Sequence, residues 1–200
     1  MRTRNGQAAV DFRAMDVYGQ MHKSSNYRGR RVLLSFFRDP SCPFCNLRLF
    51  QISQRHADWQ KAGLVVLAFF KADPNDVIRY VARYPKPFVI VPDPNGNLYE
   101  AYGIERSWVG VVRAMMLRMP AMARGLRLYG STPHMAMLSG QLPADFLLDE
   151  TGHVIRAYYG QDISDHIPLV EIEAALEYVY PEPITPVARR LSRIRKGGPA

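Results

Sequence analysis

Both cysteines of this 200-residue chain lie in one four-residue segment, Cys42-Pro43-Phe44-Cys45. The segment follows residues 31–37, a short apolar run rich in branched and aromatic side chains that predicts a buried strand. It opens residues 43–60, which predict a helix with proline at its first position. Two cysteines placed at random would rarely reach both this spacing and this junction, so the motif constrains the fold and the chemistry together.

The rest of the chain alternates strand-like and helix-like segments. Apolar runs predict further buried strands at 64–70 and 88–91, with a helix at 74–83 between them. Residues 145–148 and 153–159 flank a turn and predict an antiparallel hairpin, and 168–178 predicts a closing helix. Strands joined through helices are usually parallel. The sequence therefore predicts an α/β fold with a central mixed sheet, flanked by helices, and the hairpin at one edge.

The length of the chain limits the number of domains, and its hydropathy indicates the cellular compartment. We expect one domain over residues 8–180, interrupted by a helical insertion at 105–137, and a flexible basic tail at 181–200. The longest apolar run, Leu64–Phe70, has seven residues, whereas a membrane span needs about 20. The first twenty residues contain several charges and no apolar segment typical of a secretory signal. These features predict a cytoplasmic protein.

Positive charge is concentrated in two segments. The chain has 26 basic and 18 acidic residues, a formal net charge of +8. Five arginines fall in residues 105–130 against one acid, Glu105, and a second basic cluster lies in the last twenty residues. Such segments either bind an anionic surface, a membrane or a nucleic acid, or are simply solvated.

The position of the cysteines indicates redox chemistry. The free N–H groups and the dipole of a helix N-terminus favour a thiolate, and reactive CxxC thiols have a lowered pKa. On this argument Cys42 is the exposed nucleophile, and Cys45, one turn further along, is more buried and attacks the mixed disulfide that forms.

Other uses of the two cysteines fit less well. A buried structural pair does not require CPFC at a strand–helix junction. A structural zinc site needs four ligands, and none of the five histidines pairs with another at a ligand spacing. An iron–sulfur cluster shared between subunits is a further alternative. We therefore expect no metal and no cofactor.

Several segments resemble one known family. Residues 10–55, and above all Phe37-Arg38-Asp39-Pro40-Ser41-Cys42-Pro43-Phe44-Cys45, resemble the active-site segment of the AhpC/TSA peroxiredoxin-like family of the thioredoxin-fold superfamily. Residues 99–104 and 140–176 are similar to its later parts. The resemblance implies a thioredoxin-like fold, with the helical insertion placed before the last hairpin.

The resemblance also implies three catalytic positions. Cys42 matches the attacking thiol and Cys45 its resolving partner. Pro143 resembles the cis-proline that faces the redox pair in thioredoxin folds, where the Leu142 backbone would be free to bind an extended substrate. The alternative for Pro143 is an ordinary loop proline before an edge strand.

The segment departs from typical peroxiredoxins at the positions that bind peroxide. These enzymes place proline seven residues, and threonine or serine three residues, before the peroxidatic cysteine. Relative to Cys42 those positions hold Ser35 and Asp39, and relative to Cys45 they hold Arg38 and Cys42. The peroxide-binding hydroxyl is therefore missing. Arg38 either holds a thiolate by its charge or is a surface residue at a strand end.

The insertion contains six of the nine methionines. Trp108 begins a stripe at helical spacing, and Pro120 is expected to kink or end the helix. The favoured interpretation is a helix that covers the core beside the active site; a dimer contact or a substrate lid are alternatives. The stripe consists of Trp108, Val111, Val112, Met115, Met116 and Met119.

These observations lead to two hypotheses of different classes. The first is a thiol-dependent oxidoreductase that acts on a protein disulfide or a hydroperoxide and is reduced by an unidentified thiol electron donor. It allows a homodimer through the 105–137 insertion. The second is a redox-regulated binding module that uses the basic insertion and tail on a membrane surface or nucleic acid.

Overall fold

The structure is a computed structural model that describes residues 1–82, 85–117, 119–129 and 140–177. It contains two compact units, Met1–Pro168 and a second that begins at Leu169. The predicted tail at 181–200 lies outside the described residues, so the proposed boundary near 180 stays a prediction. The strands are β1 (Arg13–Met15), β2 (Met21–Lys23), β3 (Arg31–Phe37), β4 (Leu64–Phe70), β5 (Val89–Pro92), β6 (Ala144–Leu148) and β7 (Val154–Tyr159). The helices are α1 (Pro43–Lys61), α2 (Pro74–Val77), α3 (Asn97–Ala101), α4 (Trp108–Leu117), α5 (Met119–Tyr129) and α6 (Leu169–Glu177).

Five strands form the central mixed sheet in the order β5-β4-β3-β6-β7. The strands β3, β4 and β5 are parallel to one another, whereas β6 is antiparallel to β3 and pairs with β7 at the edge. The predicted α/β class, the mixed sheet and the hairpin at one edge are confirmed. The separate two-stranded sheet of β1 and β2 was not predicted, because three-residue strands give too short a pattern.

An aromatic cluster fills the core under the sheet. Phe36 of β3 stacks on Phe69 of β4 at 4.8 Å between ring centroids and meets Tyr99 edge to face at 5.1 Å. The hydroxyl of Tyr99 lies 2.5 Å from the carbonyl oxygen of Phe37 and 2.9 Å from that of Phe69. This contact ties together the carboxyl ends of β3 and β4, and β3 leads directly into the CPFC segment.

Two helical segments differ from the prediction. The helix expected at 74–83 is the short α2, continued by a π-helical segment, Ile78–Ala82. The helix α3 was not predicted. It follows Gly96, whose left-handed backbone (φ 72°) suits glycine, and the Asp93 carboxylate accepts hydrogen bonds from its first N–H groups.

The insertion consists of two described helices. Pro120 is the second residue of α5, and residue 118 lies outside the described part, so the kink or end expected at Pro120 stays a prediction. Residues 130–139 lie outside the described part. In the second unit, α6 confirms the predicted closing helix, and Ile172 and Leu176 are buried.

Candidate active site

Helix α1 begins at the redox motif. Cys42 is the residue before its first turn and has an extended backbone (φ −68°, ψ 124°), and Pro43 is the first helical residue. Proline fits this position because its backbone lacks only a donor that the first turn leaves unused. The N–H of Asn46 donates to the Cys42 carbonyl at 3.0 Å, which closes the first turn.

Buried hydrogen bonds fix the loop between β3 and α1. The Asp39 carboxylate accepts from the backbone N–H of Ser41 at 2.8 Å and from its hydroxyl at 2.5 Å. The Asn46 side-chain amide donates to the carbonyl oxygens of Pro40 at 2.8 Å and Cys42 at 3.1 Å. The loop therefore holds Cys42 in one position relative to the helix.

Both cysteines are buried, which contradicts the predicted exposure of Cys42. The exposed fraction is 0% for Cys42 and 1% for Cys45. The reason is tertiary packing, because α5 lies along α1 and places Gly125 against Pro43. A β-carbon at Gly125 would overlap the Pro43 carbonyl oxygen. Helix α5 thus packs against the first residue of α1, next to Cys42, and sequence spacing could not reveal this long-range contact.

The two buried thiols nevertheless differ in acidity. The side-chain hydrogen bond from Cys45 lowers the pKa of Cys42 from 9.0 to about 6, against the opposing effect of burial and with help from the charge of Arg38. The helix-start N–H groups of Phe44 and Cys45 lower it further, although the sulfur does not cap the helix through a short hydrogen bond. Burial raises the pKa of Cys45 well above its usual value, and the neighbouring Cys42 raises it further. The predicted difference in acidity has a physical basis in this structure.

Arg38 is buried beside the motif. Its exposed fraction is 2%, and none of its three guanidinium nitrogens has a hydrogen-bond partner among the described residues. A buried guanidinium normally makes several hydrogen bonds, because leaving them unmade is costly. The Cys42 thiolate is an anion on which its charge acts. Of the two interpretations of Arg38, the surface residue is therefore wrong.

Pro143 differs in its peptide bond from the cis-proline that it resembles. The described residues contain no cis peptide bond, so the Leu142–Pro143 bond is trans. The Pro143 carbonyl accepts from Gly160 N–H at 3.0 Å, and the Leu142 N–H donates to the carbonyl of Glu105 at 3.1 Å. Pro143 is thus a loop proline before β6. The Leu142 N–H is not free to bind a substrate, because it is hydrogen-bonded to Glu105 at the start of the insertion.

The predicted apolar stripe of the insertion faces outward. Val111 is buried, but Trp108, Val112, Met116 and Met119 are exposed, so most of the stripe is not the face that packs on the core. The helix instead approaches the core through Gly110, where a β-carbon would lie 2.8 Å from Leu142 Cδ2. On α4, the exposed stripe residues Trp108, Val112 and Met116 lie on a different side from Gly110 and Val111.

Comparison with known proteins identifies the family. The AhpC/TSA family model matches residues 5–157. The chain belongs to the AhpC/TSA family. Thiol-disulfide oxidoreductase ResA of Geobacillus thermodenitrificans is 25% identical over 171 residues, 83% of this chain and 78% of its own. Peroxiredoxin Bcp of Escherichia coli is 24% identical over 107 residues, 52% of this chain and 69% of its own.

A solved structure supports the same fold. Peroxidoxin BcpB from Mycobacterium tuberculosis matches with a TM-score of 0.66 and 12% identity, covering 90% of this chain and 99% of that one. The thioredoxin-like fold is confirmed. With its neighbouring Cys42 and Cys45, this AhpC/TSA protein is a thiol-dependent oxidoreductase.

This AhpC/TSA protein also contains a buried polar network that sequence reasoning missed. Asp145 of β6 accepts hydrogen bonds from Ser35 Oγ at 2.5 Å, from His166 Nδ1 at 3.0 Å and from the N–H of Ile167 at 2.8 Å. Arg48 of α1 donates to the Ile167 carbonyl at 2.7 Å. Burial raises the pKa of Asp145, but the charges and hydrogen bonds of these partners bring it below its usual value. The register of Asp145 opposite Ser35 is the signal that could have found it.

The described ranges contain neither a cluster of metal ligands nor a membrane-spanning helix. No group of three or more His, Cys, Asp or Glu side chains there is placed to hold a metal ion. None of the described helices is long and apolar enough to cross a bilayer.

Proposed function

We propose that the protein reduces small hydroperoxides, with Cys42 as nucleophile and Cys45 as resolving thiol. One observation carries the choice of substrate, namely that Cys42 is fully buried, with Gly125 of α5 packed on the adjacent residue, Pro43. A small peroxide needs little space to reach the sulfur, whereas a protein disulfide needs an open surface around it.

The chemistry requires two electrons from the dithiol. The Cys42 thiolate attacks one peroxide oxygen, the O–O bond breaks, and the leaving oxygen takes a proton to become water or an alcohol. Cys42 is then a sulfenic acid. The Cys45 thiol displaces its hydroxyl group, forming the Cys42–Cys45 disulfide and releasing one water. A thiol electron donor then reduces the disulfide in two steps and restores both thiols.

The acidities support these roles. With a pKa of about 6, Cys42 is a thiolate at neutral pH, which is the nucleophilic form. Cys45, whose pKa is raised by burial, keeps its proton and donates a hydrogen bond to the Cys42 sulfur. That hydrogen bond also places the resolving sulfur beside the attacking one.

Arg38 supplies donors that the missing hydroxyl would otherwise provide. Its guanidinium carries unpartnered N–H groups within the described structure, and the charge acts on the Cys42 thiolate. In the transition state negative charge moves from sulfur to the leaving oxygen, and preorganised donors stabilise such charge. We assign Arg38 to this position, where it would bind the peroxide oxygens.

Disulfide exchange is the second candidate. The CxxC pair lies in a single helical turn, and the relative ResA is named a thiol-disulfide oxidoreductase. In this reaction Cys42 attacks a disulfide and Cys45 resolves the mixed disulfide. The reaction requires α5 to move away from Pro43. It would also lack the backbone donor of Leu142, which is bonded to Glu105.

We also propose a cytoplasmic location, where a thiol donor keeps such a pair reduced. This proposal rests on the dithiol chemistry. It would be contradicted if the protein isolated from its native cells carried the Cys42–Cys45 disulfide as its resting form.

Stopped-flow oxidation of the reduced protein tests the choice of substrate. We expect hydrogen peroxide or a small organic hydroperoxide to oxidise it faster than a model protein disulfide. The Cys45→Ser variant should accumulate a sulfenic acid on Cys42, detectable by dimedone labelling. Faster reaction with the protein disulfide, and a trapped protein adduct on Cys42, would instead establish disulfide exchange.

A further inference from the structure

Helix α4 carries apolar side chains on its outer side. Trp108, Val112 and Met116 follow at intervals of four residues, with exposed fractions of 62%, 51% and 75%, and Val109 beside them is 77% exposed. These four residues are called the outer stripe below. Contiguous apolar surface of this kind on a folded protein indicates a binding surface.

The orientation of the stripe is fixed by polar contacts at the start of α4. The Ser107 hydroxyl accepts a hydrogen bond from the N–H of Gly110 at 3.1 Å, and its own N–H donates to the Gly140 carbonyl at 2.7 Å. A β-carbon at Gly110 would lie 2.8 Å from Leu142 and 2.9 Å from the Gln161 carbonyl oxygen. Because this face is so closely packed, α4 cannot roll over to bury the outer stripe.

The chain segment that carries the stripe has only positive charges. Residues 106–144 contain five arginines and no aspartate or glutamate. Arg113 is exposed and lies four residues after Val109 and three before Met116, on the same side of the helix. Arg106, just before the helix, and Arg124 on α5 are exposed as well. The surface thus combines an apolar stripe with a cationic border.

We propose that the outer stripe docks on an anionic lipid bilayer surface. In such a complex α4 lies in the plane of the membrane, with Trp108, Val112 and Met116 at the boundary of headgroups and acyl chains. Tryptophan favours this depth. The arginines lie near the lipid phosphates, which attract basic segments. The proposal is independent of whether peroxide or disulfide is the substrate.

The charge and apolar character of the surface favour an anionic bilayer over the other two candidate occupants, a second copy of the chain and a nucleic acid. A second copy of the chain would bring the same arginines face to face, and like charges across an interface oppose association. A nucleic acid would match the arginines, but it offers no apolar partner for valine and methionine side chains. An anionic bilayer matches both parts of the surface.

Docking would place the redox site close to lipid. The helix α5, which packs on Pro43, directly follows α4 in the chain, so docking of α4 would bring the segment that contacts the CPFC motif to the bilayer surface. Small hydroperoxides formed at the bilayer surface would then arise near the site.

Vesicle binding of the full-length protein tests the proposal. We expect it to cosediment with phosphatidylcholine vesicles that contain phosphatidylserine, to bind pure phosphatidylcholine far more weakly, and to dissociate as salt rises. Trp108 emission should shift to the blue on binding, and because Trp59 is buried it should contribute no shift. The Trp108→Ser/Met116→Ser variant removes two apolar groups without changing charge. Its vesicle affinity should fall at least roughly tenfold.

A matched variant and a second stripe variant complete the design. Ile78→Ser/Val170→Ser removes exposed apolar groups elsewhere and should bind like the parent protein. Val109→Ser should also lower the affinity for phosphatidylserine vesicles, as the double variant does. Equal binding of stripe and matched variants, or equal binding to neutral vesicles, would overturn the proposal. Loss of binding when the tail arginines are replaced by glutamine would also overturn the proposal, because the tail would then be the lipid contact. The tail arginines are Arg189, Arg190, Arg193 and Arg195.

Two other results would assign the outer stripe to a different occupant. A dimer in sedimentation experiments that the Trp108→Ser/Met116→Ser variant converts to monomer would make a second copy the occupant. The occupant would be a nucleic acid if a single-stranded oligonucleotide displaced the protein from vesicles and bound tightly to the parent protein but not to the Trp108→Ser/Met116→Ser variant.

Discussion

Gly125 lies so close to Pro43 that no larger residue fits between helix α5 and the redox motif. A β-carbon at Gly125 would overlap the Pro43 carbonyl oxygen and lie 2.9 Å from the Pro43 β-carbon. Backbone atoms cannot give way as a flexible side chain can, so a substitution has to shift α5. We therefore expect access to Cys42 to depend on the packing of this glycine.

The Gly125→Val variant tests this dependence. We expect α5 to move away from α1, so that iodoacetamide at neutral pH modifies Cys42 faster than in the parent protein. Overpacking should also lower the free energy of unfolding by about 1–3 kcal/mol. Mass spectrometry of the alkylated protein and urea denaturation measure the two effects. Ala123→Val, at an exposed position of the same helix, is the control and should change neither. An unchanged alkylation rate in Gly125→Val would show that α5 does not limit access.

Replacing Arg38 should change the pH profile of Cys42. In the parent protein alkylation and oxidation of Cys42 should rise through a pKa of about 6 and level off above it. The Arg38→Met variant loses the positive charge that favours the thiolate, so the midpoint of the profile should move to higher pH. Ultraviolet thiolate absorbance gives the pKa directly. Arg124→Met, which removes an exposed charge, should leave the midpoint in place. An unmoved midpoint in Arg38→Met would remove Arg38 from the site.

The stability of the reduced protein should depend on pH through the two thiols. The folded pKa of Cys42, about 6, is below its ordinary value of 9.0. Cys42 therefore stabilises the fold fully above the unfolded pKa, and this contribution is lost as pH falls toward 6. Cys45 has a raised pKa, so its contribution is lost as pH rises above the ordinary value. The free energy of unfolding should increase from pH 6 and reach a maximum between the two effects.

Urea titrations at a series of pH values measure this profile. The disulfide form has no titrating thiols and should lack the rise, and so should Cys42→Ser. A rise of equal slope in the oxidised protein would assign the pH dependence to other groups.

Local sequence pattern was enough to predict most of the fold. The buried strands β3 and β4 are uninterrupted apolar runs, and proline at the start of α1 marks the beginning of that helix. The three-residue strands β1 and β2 and the five-residue α3 escaped prediction because such short elements have no period to detect. Their formation depends on neighbours distant in the chain.

Less of the active site could be predicted. The sequence places Cys42 and Cys45 at the helix start, but it does not show that Cys42 is buried or that Gly125, more than eighty residues away, packs on Pro43. The same holds for Arg38, which sequence alone could not assign to the interior or the surface. The outward face of Trp108 was also missed, because helical periodicity reveals a stripe but not the side of the helix that packs.

The buried carboxylate of Asp145 should be essential to the stability of the first unit. It accepts hydrogen bonds from Ser35, His166 and Ile167, and its pKa is held below the usual value by these partners against the effect of burial. Asp145→Asn keeps the size of the side chain but removes the charge, leaving His166 without its anionic partner. We expect the free energy of unfolding at neutral pH to fall by about 3–5 kcal/mol, the cost of breaking a buried pair.

The stability that Asp145 contributes should depend on pH. A carboxyl group with a lowered folded pKa contributes stability above its unfolded pKa, about 3.9, and loses it as pH falls through the folded value. The difference between the parent protein and Asp145→Asn should therefore be largest near neutral pH and shrink in acid. Asp58→Asn, at a carboxylate whose side chain is 84% exposed, should change stability little at any pH. If Asp145→Asn cost no more than Asp58→Asn in urea denaturation, the network would not be holding the loop that contains His166 and Ile167 against the sheet.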